Sequence, residues 1–176
     1  MTITPDTKDW TWVLDRPCPE CGIDARTVDV EDLPRRIRAN AAAWQEALAA
    51  DDVPERPEPT RWSTLEYGCH VRDVHVVFTE RVRAMLTEDD PQFASWDQDE
   101  AAAEGDYARQ DPATVAGELG SAAEQAAEQF ASVSEEQWQR PGRRSNGSVF
   151  TADSIARYYL HDIEHHRWDV AGLRAG

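Results

Sequence analysis

The sequence predicts an all-α fold, an antiparallel up-down four-helix bundle behind an irregular N-terminal segment. Three observations carry this expectation. Four stretches repeat apolar residues at steps of three and four, the period of one helix face. No stretch shows the apolar-polar alternation of a half-buried strand. Proline, glycine and acidic residues collect between the four stretches, where a chain turns. At 176 residues the chain fits a single domain, residues 1–176, long enough to bury a core.

Residues 1–28 read as an irregular N-terminal extension of that domain. They hold Trp10 and Trp12, then Arg-Pro-Cys-Pro-Glu-Cys-Gly, whose Pro17 and Pro19 forbid a regular element. The first helix opens with Asp32 as cap and Pro34 in its first turn. Leu33, Ile37, Ala41, Trp44 and Leu48 form its stripe, and Asp51–Asp52 stop it. The following DDVPERPEPT, with three prolines, reads as a stiff extended connection. A second helix starts at Ser63, with Glu66 completing a capping box. Tyr67, His70 or Val71, Val74, Val77 or Phe78, Val82 and Met85 form its face.

Residues 87–110 are acidic and poor in aliphatic side chains, a long loop anchored by Phe93, Trp96 and Tyr107, with room for a helical turn. Asp111-Pro112 opens a third helix bearing Val115, Leu119, Ala122, Ala126 and Phe130. RPGRRSNGS reads as a glycine-containing loop, after which Thr151 caps a fourth helix that runs to about Ala171-Gly172. Six of the seven tryptophans fall near element ends, the exception being Trp44, and are expected to plug the ends of a small core, with a ligand pocket lined by some of them as the alternative.

Eighteen Lys and Arg against 34 Asp and Glu leave a formal charge of -16. That balance argues against nucleic acid, which needs clustered cations, and against an anionic membrane surface. No apolar run is long enough to span a bilayer, and MTITPDTKDW lacks a basic region followed by an apolar one. The expectation is a cytoplasmic protein. Three cysteines, Cys18, Cys21 and Cys69, make no disulfide framework and suit thiols or metal ligands.

The five histidines are grouped. His161, His165 and His166 share six residues of the fourth helix, and His70 and His75 lie on the second. An i,i+4 pair projects from one helix face, so such a pair plus one residue across the bundle makes a three-ligand site with open positions. Two pairs compete: Asp162 with His166, and His161 with His165. Asp162 and His166 fall on the stripe of Ile155, Tyr159 and Val170 (or Leu173), whereas His161 and His165 share the less apolar line of Ser154 and Tyr158. A buried Asp and His need partners, and a divalent cation supplies one. The ligand set favoured is therefore His70, Asp162 and His166, with His161 and His165 as the alternative pair. His75, on another face, reads as structural or exposed, Glu164 as solvent-facing or supporting, and His165, or else Glu164, as the candidate for moving a proton.

Trp62-Ser63 leading through Glu66 to His70, with HDIEHHRWDV near the C-terminus, resembles the DinB-like superfamily over about residues 30–171. Its actinobacterial branch includes mycothiol-dependent maleylpyruvate isomerase, and the wider group includes bacillithiol S-transferases. The resemblance implies a four-helix bundle with a divalent metal, zinc first and nickel second, and a homodimer. It places the ligands on His70, Asp162 and His166, anchored by Arg167 and Asp169-Val170, with Asp162, one methylene shorter than Glu, standing where the family has His or Glu. It implies a metal-dependent S-transferase or isomerase taking a low-molecular-weight thiol and an electrophile. A non-catalytic metal-binding bundle, serving as a stress-related binding or dimerisation module, is the alternative. The resemblance is silent on Cys18-Pro-Glu-Cys21-Gly, a knuckle that presents two thiolates to one metal. With Cys69 as third ligand, and a histidine as a further one, it would form a second metal site, which the adjacency of Cys69 to His70 would bring near the histidines.

Overall fold

The computed structural model describes residue 3 and residues 9–174, the last two by backbone only. Residues 1, 2 and 4–8, on which the reading of the leading segment partly rests, and the side chain of Leu173 lie outside the described residues. Five helices follow in chain order: α1 (Leu33–Leu48), α2 (Thr64–Thr87), the short α3 (Gln98–Glu104), α4 (Pro112–Ala131) and α5 (Ala152–Arg174). The four long ones form a bundle. The stripes named from periodicity bury: Leu33, Ile37, Ala41, Trp44 and Leu48 on α1, and Val115, Leu119, Ala122, Ala126 and Phe130 on α4. The alanine-rich face of α4 lets it pack against both α1 and α2.

Cross-helix contacts fix the directions. Arg38 pairs with Glu124 while Gln45 reaches Ala116, so α1 and α4 are antiparallel. His70 meets His166 while Phe78 meets Tyr158, so α2 and α5 are antiparallel as well. Arg36 pairs with Glu164 and Trp44 lies under Arg167, so α1 and α5 run the same way. In chain order the helices therefore run up, down, down and up. The connection over residues 88–111 makes this order: it returns the chain to the end at which α2 began.

That connection is less open than its composition suggests. It contains α3, capped by Asp97 accepting from the Asp99 and Glu100 amides, and a 3-10 turn at Tyr107–Arg109 with Tyr107 buried. Residues 49–63 are turns rather than an extended strut, and the Leu65 amide donates to Val53 O at 2.9 Å. The expectation of no strands is corrected by a small sheet of β1 (Gln92–Phe93), β2 (Pro141–Arg144) and β3 (Val149–Thr151). β2 and β3 form a hairpin whose turn carries Gly147 at φ +93°, while β1 adds to β2 in parallel. Strands of two to four residues are too short to show a period, which is why the loop reading of RPGRRSNGS missed them.

The extension before α1 is ordered by caps and staples. Asp9 and Asp24 cap 3-10 turns at Trp10–Leu14 and Ala25–Thr27. Arg157 on α5, paired with Asp153, donates to Ala25 O at 3.2 Å and Arg26 O at 3.1 Å and also reaches Val28 O. The N-terminal segment thus lies along α5.

Candidate metal centres

The start of α2 is pinned before its functional residue appears. The Ser63 side chain accepts from the Glu66 amide, and the Glu66 carboxylate accepts from the Ser63 amide and pairs with Arg56. One turn later His70 is 1% exposed, and neither of its ring nitrogens has a hydrogen-bond partner. The antiparallel α5 brings Asp162 and His166 opposite it. One ligand atom from each of the three lies within 4.8 Å of the others. Asp162 Oδ1 stands 3.2 Å from His166 Nε2 and 3.8 Å from His70 Nε2. Two donors at tetrahedral angles on a zinc ion lie about 3.4 Å apart, given metal-ligand bonds of ~2.0–2.1 Å. The unpartnered His70 and these spacings fit a divalent cation.

Supporting groups surround the three. Asp169 Oδ2 lies 3.0 Å from His166 Nδ1, fixing the ring and leaving Nε2 toward Asp162. Trp96 stacks on the His70 ring at 5.3 Å and 9°, and Trp62 packs on it at 5.3 Å. Burial alone raises the Asp162 carboxyl, but the close His166 and His70 rings outweigh it and hold the group well below the usual carboxylate range. Burial disfavours a charged His166, yet Asp162 and Asp169 raise it to about 9. Burial lowers His70.

A second group lies on the neighbouring face of α5. One ligand atom from each of Cys18, Cys21, His161 and His165 lies within 4.8 Å of the others. Cys18 Sγ is 3.7 Å from His165 Nδ1 and Cys21 Sγ is 3.6 Å from His161 Nε2. The Cys18 amide donates to Ile23 O at 2.8 Å and the Gly22 amide to Cys18 O at 2.9 Å, folding Cys-Pro-Glu-Cys-Gly into a tight knuckle. Gly22 closes it at φ +77°, a conformation that favours glycine. His165 Nε2 lies 3.4 Å from Glu20 Oε2 and 3.9 Å from Asp169 Oδ2. Burial pushes the Cys21 thiol up to about 11 and His161 down to about 4.

The alternative pairing of His161 and His165 with His70 is not what the fold assembles, because those histidines face the cysteines. Cys69 does not join Cys18 and Cys21. Adjacent helical residues point roughly 100° apart, so Cys69 turns away from His70 into an apolar cluster with Leu48, Leu65, Tyr107 and Val115. Its thiol faces Tyr107 O at 3.9 Å, and burial pushes it up to about 12. His75 is buried, with Nδ1 2.6 Å from the Tyr159 hydroxyl, so the exposed reading is excluded. Glu164 pairs with Arg36 at 2.5 Å.

Both groups border one cavity of about 400 Å³. Trp10, Trp62, Tyr67 and Tyr158 give it aromatic walls, and Arg61 is the only Lys or Arg among its described lining residues. Four tryptophans therefore do more than plug core ends: Trp62 and Trp96 enclose His70, while Trp10 and Trp168 pack on His165. The signal for the second group was present as C-x2-C and H-x3-H, a familiar zinc spacing. The intervening 139 residues, 22 to 160, hid it.

The comparisons agree with this architecture. The family model of the DinB superfamily matches residues 8–170. No curated protein matches the chain in sequence. YfiT from Bacillus subtilis, described as a probable metal-dependent hydrolase with an unusual four-helix bundle topology, is similar with a TM-score of 0.76 and 16% identity, over 83% of this chain and 86% of that one. The mycothiol-dependent maleylpyruvate isomerase is similar with a TM-score of 0.63 and 14% identity, over 79% of this chain and 59% of that one. At such identities the two structures speak to the fold. With the family model spanning nearly its whole length, the chain belongs to the DinB superfamily.

Proposed function

We propose that the chain is a metal-dependent enzyme acting on small molecules, with His70, Asp162 and His166 as the ligands of a divalent metal, zinc first and nickel second. The observation that carries this reading is the convergence of three buried or half-buried donors, one of them an unpartnered histidine, at the edge of an aromatic-walled cavity. A cation held by three protein ligands supplies a Lewis acid that lowers the pKa of a thiol or water bound in the remaining position.

The chain's own residues do the rest. Asp169 holds the His166 ring in one orientation. Trp62 and Trp96 cover His70 and keep water from its ring. Arg61, 4.0 Å from Asp169, offers a cation to an acidic group on a substrate. The reaction proposed is S-transfer or isomerisation with a low-molecular-weight thiol of the mycothiol type as cosubstrate. The likeness to the mycothiol-dependent isomerase supports the thiol. The likeness to YfiT supports hydrolysis as the second reading.

One experiment separates them. Zinc- and nickel-loaded protein is incubated with an aryl halide and each of mycothiol, bacillithiol and glutathione, and in parallel with an aryl ester and no thiol. Thiol-dependent conjugation that disappears in His166→Ala supports the transferase reading. Ester cleavage without thiol supports the hydrolase. Neither activity in metal-loaded protein overturns the enzyme reading and leaves a metal-binding bundle.

A further inference from the structure

We infer that Cys18, Cys21, His161 and His165 form a four-coordinate zinc site, separate from the cavity triad, that clamps the N-terminal segment onto α5. The argument begins with distance. A tetrahedral zinc with one sulfur at ~2.3 Å and one nitrogen at ~2.05 Å sets those two atoms about 3.6 Å apart. The two Cys-His separations are 3.7 and 3.6 Å. Those values match the edges of a zinc tetrahedron.

The local chemistry agrees. The knuckle's backbone bonds and the positive φ of Gly22 aim both thiols the same way. His161 and His165 are one helical turn apart and present Nε2 and Nδ1 respectively to the sulfurs. His165 then directs its other nitrogen at the Glu20 carboxylate, the outer partner that metal-bound histidines commonly have. All four donors come from the protein, so the shell is closed and the site is structural rather than catalytic. Binding of Zn²⁺ releases the two thiol protons, and the cation's two charges balance the two thiolates.

The site has a consequence for the cavity. Trp10, which lines the cavity, packs on the rings of His161 and His165, and Glu20 lies inside the knuckle and also lines it. Zinc at this position therefore holds one wall of the cavity in place. Asp169, 3.0 Å from His166 Nδ1 and 3.9 Å from His165 Nε2, lies between the two centres.

The test uses the full chain without a polyhistidine tag, loaded with zinc and, separately, with Co²⁺. Zinc-loaded wild type should hold two ions per chain, and Cys18→Ser/Cys21→Ser and His70→Ala/His166→Ala one each. Cobalt-loaded wild type should show a sulfur-to-cobalt charge-transfer band that survives His70→Ala/His166→Ala and Cys69→Ser. That band reports this site alone, because the triad contains no sulfur. Should the double cysteine variant fail to fold, the wild-type cobalt spectrum decides by itself. Absence of the band, or a Cys18–Cys21 disulfide in the purified protein, overturns the assignment.

Discussion

Two adjacent faces of α5 carry two kinds of metal-like constellation, and they differ in how many donors the protein supplies. His161 and His165 meet two sulfurs, which complete a four-donor shell. One residue further on, Asp162 and His166 converge with His70, and among the described residues this shell of three is left open toward the cavity. The lesson is that a rotation of roughly 100° about one helix changes a closed centre into an open one. Which face gains the extra donors depends on which neighbour lies against it: α2 contributes one histidine, the N-terminal segment two cysteines. Softness separates them further, since thiolates favour zinc while a carboxylate with two imidazoles accepts a wider range of divalent ions.

The largest expected effect breaks the comparison at the open face. His70→Ala or His166→Ala should lower the metal-dependent turnover by about a hundredfold or more, removal of a ligand being at least as damaging as loss of its outer partner. Metal analysis should show one ion lost with the knuckle's ion retained; an active variant with full metal content would end the triad assignment. At the closed face the expected effect is on stability. A centre saturated about a thousandfold above its Kd adds ~4 kcal/mol, or roughly 8–16 °C in a protein of this size. Chelation should lower Tm by that order for the knuckle's ion, a share of the response that Cys18→Ser/Cys21→Ser should abolish and His70→Ala should keep. Calorimetry with and without chelator measures both.

A third change sharpens the link between the faces. Asp169→Asn should weaken metal binding at the triad by about 10- to 100-fold, while the zinc at Cys18 and Cys21 stays bound. Competition with a chromogenic chelator measures both affinities. The smallest effect is expected at His75, a histidine that faces a hydroxyl rather than other donors. Burial lowers its pKa to about 3 against 6.5 unfolded. The unfolded chain therefore binds a proton that the folded chain refuses, so stability is intact above about 6.5 and falls as pH drops toward 3. His75→Gln should leave metal content unchanged and flatten this part of the acid response, read from urea midpoints of chelated protein.

The i,i+4 spacing and the apolar stripe favoured Asp162 with His166 over His161 with His165, because both are properties of a single helix; His70, on another helix, entered as the residue across the bundle and as the ligand that the DinB-like resemblance implies. The same logic placed the capping box at Ser63 and Glu66, which the structure shows with both of its bonds. It could not place the partner of the knuckle. Nothing in the residues between Cys21 and His161 records that the leading segment lies along α5. Proximity in sequence made Cys69 attractive beside His70, whereas helical geometry sends it toward α4. The hairpin of β2 and β3 was also illegible because its strands are too short to show a period, and the parallel addition of β1 because it pairs segments 51 residues apart, as in Gln92 with Arg143.

The sequence by itself determined the four amphipathic helices, the acidic surface and the residue types able to bind metal, because periodicity, charge and side-chain chemistry are local properties. Only the tertiary structure decided which donors meet. The up, down, down, up order sets α2 antiparallel to α5, and the staple of Arg157 lays the N-terminal segment on the other face. Donor atoms come within bonding reach of a common ion only when separate segments are packed to within a few ångströms, and that packing is a property of the whole fold.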